Sequence, residues 1–149
     1  MPRVYLVGLG AIGAGYASRL VDAGLDLRVL VDPERAERYQ AEATQVNGTP
    51  YEFSFGQGTA EEPADLAIVA VKQAALEAAI EVLRPVVAAG TVIISLLNGI
   101  SSEDELARAF PEATVLLAVS VGIDAVRSGR AVHFTSLGRI VFGEPTNPG

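Results

Sequence analysis

Apolar runs alternate with helix-patterned segments along the chain. Residues 4–7, 27–31, 66–71, 92–96 and 115–119 are apolar stretches rich in β-branched side chains. Such runs suit strands buried on both faces, as in a parallel sheet. The segments between them predict helices. Residues 11–23 follow the first run, and Gly24 is placed to stop that helix. Residues 33–43 follow the second. Within residues 73–83, Leu76, Ala79, Ile80 and Leu83 recur at the spacing of one helical face. Ser102, Glu103, Asp104 and Glu105 read as a capping box that opens a helix through Phe110, and Pro111 ends it.

Two stretches break the alternation. Residues 44–55 hold Asn47-Gly48 between short strand candidates, which predicts a hairpin. Residues 131–135 and 139–142 are expected to form a second hairpin with Gly138 in its turn. The order of elements predicts an α/β fold: an open, doubly wound, mostly parallel sheet with short β-hairpin additions. Residues 1–143 read as one domain, and residues 144–149 as the start of a linker.

Composition narrows the classes. The chain has 149 residues, 50% hydrophobic and 19% charged, which is enough for one well-formed core and argues against disorder. Eleven Lys and Arg against 18 Asp and Glu leave a net charge of −7. Nucleic-acid binding draws most of its affinity from phosphate neutralisation, so an acidic domain is a poor candidate for it. Cysteine is absent, which removes disulfide scaffolds, thiolate metal sites and cysteine nucleophiles. The longest unbroken apolar run, residues 66–71, is far short of the ~18 residues of a membrane span. The chain opens directly into a strand-like run with no signal-peptide pattern, so a cytoplasmic protein is the expectation.

The most informative segment is Gly8-Leu9-Gly10-Ala11-Ile12-Gly13, a G-x-G-x-x-G pattern between a predicted strand and a predicted helix. In the Rossmann-type mechanism Gly8 permits the tight turn, Gly10 lets a pyrophosphate approach the backbone, and Gly13 lets helix and sheet pack closely. The helix N-terminus offers unpaired N–H groups to the phosphates. A glycine-rich turn without a ligand is the plain alternative. Asp32 ends the second predicted strand, about 20 residues after Gly13. It is placed to accept hydrogen bonds from an adenosine ribose, and its charge would favour NAD over NADP. Asp32-Pro33 also makes a good helix start, and the two roles can coexist. Arg35 and Arg38 are within reach of a 2′-phosphate, or else pair on the helix surface with Glu34, Glu37 or Glu42.

Lys72 is the only lysine; the ten other basic residues are arginines. It follows the third predicted strand, at the sheet edge where open α/β folds bind ligands. It is either a compact point charge for a ligand or a solvated cation. Asn98-Gly99 follows the fourth strand at the same edge. It is either a turn or an amide aimed at a substrate carbonyl. His133, the only histidine, reads as a strand-face residue. No H-E-x-x-H, G-x-S-x-G or carboxylate-rich metal motif is present, so no metal site is expected.

These residues together resemble the N-terminal domain of the ketopantoate reductases (2-dehydropantoate 2-reductases). The segments that carry the resemblance are 7–13, Ala70-Val71-Lys72, residues 93–100 with Asn98-Gly99, and residues 122–143. It covers essentially the whole chain. The resemblance implies hydride transfer from a nicotinamide cofactor to the ketone of a 2-keto acid, ketopantoate giving pantoate in coenzyme A biosynthesis. It places Gly8, Leu9, Gly10, Ala11, Ile12 and Gly13 on the pyrophosphate and Lys72 at the adenosine end. It places Asn98 beside nicotinamide and substrate, and gives Ala125 a backbone contact to the cofactor.

Two departures matter. Family members that use NADPH commonly carry Arg after the second strand, where this chain has Asp32, which points to NAD. The family's general-acid lysine and substrate-binding glutamate lie in a helical C-terminal domain outside this sequence. The chain alone is therefore expected to bind cofactor and to turn over little. An apolar surface left by that partner domain would favour self-association, as in a homodimer. A competing reading is a stand-alone NAD-sensing module, and a third is a related 2-keto-acid reductase with another substrate. Lys72 and Asn98-Gly99, for which a sensor has no evident need, favour a reductase.

Overall fold

The computed structural model of the chain describes residues 2–97 and 101–143. Its elements run β1 (Arg3–Val7), α1 (Ala11–Asp22), β2 (Asp26–Leu30), α2 (Pro33–Ala41), β3 (Thr44–Val46), β4 (Thr49–Tyr51) and β5 (Ser54–Gly56). They continue with β6 (Leu66–Val69), a 3-10 turn (Gln73–Ala75), α3 (Leu76–Leu83), β7 (Val92–Ser95) and α4 (Ser101–Ala109). The last are β8 (Thr114–Ile123), β9 (Val126–Ser128), β10 (Ala131–His133) and β11 (Leu137–Gly143).

The main sheet has the order β11-β8-β7-β6-β1-β2-β5. Its neighbours are parallel except for the β8–β11 pair. The chain leaves β1 in one direction through β2 and β5, then fills the other side with β6, β7 and β8. The direction of winding therefore reverses between β1 and β6. In open α/β sheets that reversal leaves a crevice beyond the carboxyl ends of the two strands.

Alternation along β1 explains the layers. Tyr5 and Val7 join the cluster of Val69, Leu76, Leu83, Leu106 and Phe110, under α3 and α4. Val4 and Leu6 join the opposite cluster, with Ala14 and Ala17 of α1 and with Val46 and Val132. The last two come from a small second sheet, β4-β3-β10-β9, which covers that face beside α1. Helix α1 ends as the sequence predicts. Gly24, at φ +80°, donates to Val21 and Leu25 donates to Leu20, the paired bonds of a Schellman stop. Asn47 and Gly48 both have positive φ and join β3 to β4 in the expected hairpin.

Three expectations are corrected. Residues 131–135 and 139–142 do not pair with each other. β10 pairs with β9 and with β3, whereas β11 pairs antiparallel with β8 in the main sheet. Gly138 is not a hairpin turn: at φ +62° it lies in the β8–β11 ladder, where a Cβ would overlap the Val121 carbonyl. β8 is longer than predicted, because the alternation from Ala118 to Ile123 extends it along β11. Ser102 does not cap α4: it lies inside the helix, and its hydroxyl bonds to Ser95 Oγ at 2.8 Å and to Glu103 Oε2 at 3.2 Å. Burying Glu103 leaves that carboxylate to be satisfied locally, and Ser102 does so. The extended β8–β11 pair also exposes apolar side chains on one face, among them Val119, Val121 and, opposite Val119, Val141.

Candidate functional site

The glycine loop sits at the crevice where the winding reverses. Gly8, at φ +103°, passes so close to the end of β6 that a Cβ would overlap the Ala70 carbonyl. A Cβ on Gly13 would overlap the Gly8 carbonyl. These two glycines are required by the protein's own packing. Gly10 is not: its φ is −82°, and apart from chain neighbours nothing lies within 4 Å of where its Cβ would stand. The space above Gly10 is left open.

The start of α1 is left open in a second sense. Its first helical bond is Ala14 N–H to the Gly10 carbonyl, at 2.9 Å, so the N–H groups of Ala11, Ile12 and Gly13 precede the ladder. No side chain caps this end among the described residues, and no acid stands in its first turn. Helix α2 is built the opposite way. Asp32 caps it, accepting from Arg35 N–H at 2.9 Å, with Pro33 and Glu34 in the first turn. One chain thus holds a fully capped helix start and a bare one, and a bare start at a ligand crevice attracts anions.

A cleft of about 510 Å³ opens from the loop. Gly10, Ala11 and Ile12 form one wall, Ala70 to Gln73 another, and Leu96, Leu97 and Ala125 complete it. The structure therefore brings Lys72 and Ala125 to the glycine loop. Lys72 is exposed, immediately before the 3-10 turn that it leads into. Ala125 is held by its neighbour. The Asp124 carboxylate accepts the Thr135 and Ser136 N–H groups, both at 2.8 Å, and Asp124 N–H donates back to the Ser136 carbonyl. The N–H groups of Ser136 and then Thr135 hold the Asp124 carboxyl below the usual carboxylate range.

On the other side of the loop lies a second groove. Gly8 and Leu9 line it together with Asp32, Arg35 and Tyr39, and Val71 separates it from the first cleft. Asp32 thus stands near the loop but apart from Lys72. Its observed partner is Arg35, whose Nε lies 3.6 Å from Oδ2, so Arg35 pairs with Asp32 rather than with a neighbouring Glu. Asn98 and Gly99 lie outside the described residues. His133 is exposed on β10, away from both grooves.

Sequence reasoning passed over Tyr39, Leu97 and Asp124. Tyr39 follows Arg35 by one helical turn, which is the signal that could have found it. Leu97 lies just beyond the predicted strand of residues 92–96, and nothing near Asp124 in the sequence marks its role. Among the described residues no group of His, Asp and Glu stands close enough to hold a metal ion, and no helix is long and apolar enough to cross a membrane.

Comparison with known proteins agrees with this architecture. The family model described as Ketopantoate reductase PanE/ApbA matches residues 4–147. The uncharacterized oxidoreductase YkpB of Bacillus subtilis is 31% identical over 147 residues, covering 95% of this chain and 48% of that protein. The crystal structure of 2-dehydropantoate 2-reductase from Geobacter metallireducens superposes with a TM-score of 0.76 at 29% identity, covering 95% of this chain and 49% of that one. A D-mandelate dehydrogenase, in a ternary structure with NADH and anilino(oxo)acetate, shares the fold with a TM-score of 0.76 at 21% identity, covering 94% of this chain and 47% of that one. The chain spans about half the length of the curated relatives it matches. An uncapped helix start at the winding reversal and a family match over nearly the whole chain lead to one conclusion: the chain belongs to the ketopantoate reductase PanE/ApbA family of oxidoreductases.

Proposed function

We propose that this chain is the dinucleotide-binding part of a nicotinamide-dependent 2-keto-acid reductase, with ketopantoate as the first substrate to test. The observation that carries the reading is the open space over Gly10 beside the uncapped start of α1. A pyrophosphate fits this donor set: the N–H groups of Ala11, Ile12 and Gly13, a favourable helix dipole, and no competing acid. Gly8 and Leu9 lead one end of the dinucleotide into the groove of Asp32, where the carboxylate would take the ribose hydroxyls. Lys72, which lines the first cleft across Val71 from that groove, adds positive charge beside the phosphates. The apolar side chains of Ile12, Leu96 and Leu97 line this cleft and would shield a nicotinamide from water, Ala125 would lend a backbone contact, and Asn98 would, by the family resemblance, serve nicotinamide and substrate.

The cofactor, when bound, supplies hydride to the ketone carbon. The developing alkoxide then needs a positioned acid, a contribution of ~10² to 10⁴ in rate. Lys72 serves the phosphates in this reading, so the acid comes from residues outside this domain, as does much of the substrate pocket. The exposed Val119, Val121 and Val141 face is where such a part, or a second copy, would pack.

Isothermal titration of the chain with NADH tests the assignment. Saturable binding is expected, and Lys72→Ala should weaken it about two- to fivefold, the equivalent of one exposed charge contact, without moving the unfolding midpoint. Lack of binding by NADH and by NADPH would refute the reading.

A further inference from the structure

The groove that holds Asp32 has a second charged member, Arg35. Arg35 engages both oxygens of the Asp32 carboxylate: its backbone N–H donates to Oδ1 at 2.9 Å, and its side-chain Nε faces Oδ2 at 3.6 Å. These two contacts differ in kind. The backbone bond is part of the α2 cap and fixes Asp32 whichever way the Arg35 side chain points. The side-chain pair is exposed, 61% for Arg35 and 53% for Asp32, and exposed pairs of this sort are weak and readily exchanged. Tyr39, on the same wall, is packed in place: its ring packs against Phe55 at 5.4 Å between centroids, and the Arg130 guanidinium lies 4.1 Å over that ring. Arg35 is thus an exposed charge that can reorient without disturbing the packed Tyr39 wall of the groove.

A lone carboxylate here would reject a 2′-phosphate by like-charge repulsion. This carboxylate is not alone, because a guanidinium offsets it within the same groove. Guanidinium prefers a phosphate, which offers more charge and a matching fork of oxygens, to an exposed carboxylate. We propose that Arg35 is the specificity-determining residue of this site. It rests on Asp32 when the adenosine ribose carries a free 2′-hydroxyl, and it moves to the 2′-phosphate when there is one. The chain therefore accepts both NADH and NADPH and discriminates only shallowly between them. This rests on the reading of the groove as the adenosine end of a dinucleotide site.

The test is calorimetric titration of the full chain with NADH and with NADPH, at low and high salt, for the wild type, Arg35→Gln and Arg35→Lys. The two wild-type dissociation constants should lie within about tenfold of each other. Arg35→Gln should weaken NADPH at least about tenfold and NADH less than about threefold, and Arg35→Lys should restore most of the loss. The wild-type affinity for NADPH should fall more steeply with salt than that for NADH, and this difference should vanish in Arg35→Gln. The unfolding midpoint should not move, since the backbone cap is retained. An equal loss for both cofactors in Arg35→Gln, or a wild-type preference for NADH beyond about 100-fold, would overturn the proposal while leaving the site assignment standing. A wild type that binds neither cofactor removes the site assignment and this proposal with it.

Discussion

Placing on α1 the cap that α2 already has should make the protein more stable and less able to bind a dinucleotide. The substitution is Gly10→Asp. Gly10 and Asp32 are both extended N-cap residues, with φ −82° and −67°, so an L side chain fits the backbone at position 10. The space is open, with nothing within 4 Å of the new Cβ apart from chain neighbours. Three favourable contributions add. Replacing glycine reduces the freedom of the unfolded chain, worth ~0.4–1 kcal/mol. Aspartate caps better than glycine by a few tenths. Its charge at the helix N-terminus adds ~0.3–1 kcal/mol. The total is about 1–2 kcal/mol, which for a chain of this size raises the unfolding midpoint by about 2–8 °C. Binding moves the other way. A carboxylate about 4 Å from a phosphate charge at an effective dielectric near 20 costs about 4 kcal/mol, so a loss of at least ~100-fold is expected. Thermal unfolding without ligand and calorimetric titration with NADH read the two effects separately. Gly10→Asn is the control, keeping the cap while removing the charge. A Gly10→Asp protein that is less stable than the wild type, or that binds NADH as well, would refute the argument that position 10 is glycine for a ligand's sake.

Two further predictions concern the scaffold. Leu106 is fully buried between α4 and the sheet, so Leu106→Ala should cost about 3–5 kcal/mol in urea unfolding; a loss under about 1 kcal/mol would show that this core is loosely packed. The Asp124 carboxyl is held below its unfolded value by the Ser136 and Thr135 N–H groups. Its contribution is therefore present above the ordinary carboxylate pKa, about 3.9, and is lost as pH falls through the lower folded value. Unfolding curves of the wild type and Asp124→Asn should separate at neutral pH and converge in acid, and a gap that persists unchanged in acid would rule the linkage out.

Where structure follows from neighbours in sequence, it is legible. The Gly24 stop, the Asn47-Gly48 turn and the Asp32 cap all rest on contacts within a few residues, and the central strands show as apolar runs whatever their distant partners. The same local reasoning located the glycine loop and Lys72 at one edge of the sheet. It failed where a segment had two partners to choose from. β11 looks like a natural hairpin mate for β10, and only the main sheet's free β8 edge decides otherwise. Ser102 has the sequence of a cap, and only the burial of Glu103 and the nearness of Ser95 redirect its hydroxyl. Arg35 has acids on either side along α2, and its choice of Asp32 follows from the cap geometry, which fixes the carboxylate within its reach. In each case the deciding neighbour comes from burial or from three-dimensional placement, which no periodicity encodes.

The small sheet has a consequence for the order of folding. It is knit from two segments far apart in the chain: β3 hydrogen-bonds β10, and the Arg130 guanidinium bonds Thr44, 86 positions away in sequence. Contacts of such long range form late, because the loop must be closed before they are made. β1, α1 and β2 can assemble from local contacts alone, as can the β3–β4 hairpin. The Ala125 side of the cleft lies on the segment that must wait for β10. During synthesis, at about 5–20 residues per second, the glycine loop leaves the ribosome several seconds before that segment exists. Until then Val46 lacks its cover from Val132. A dinucleotide that grips the finished cleft would therefore act late, stabilising the last structure to form rather than guiding the first.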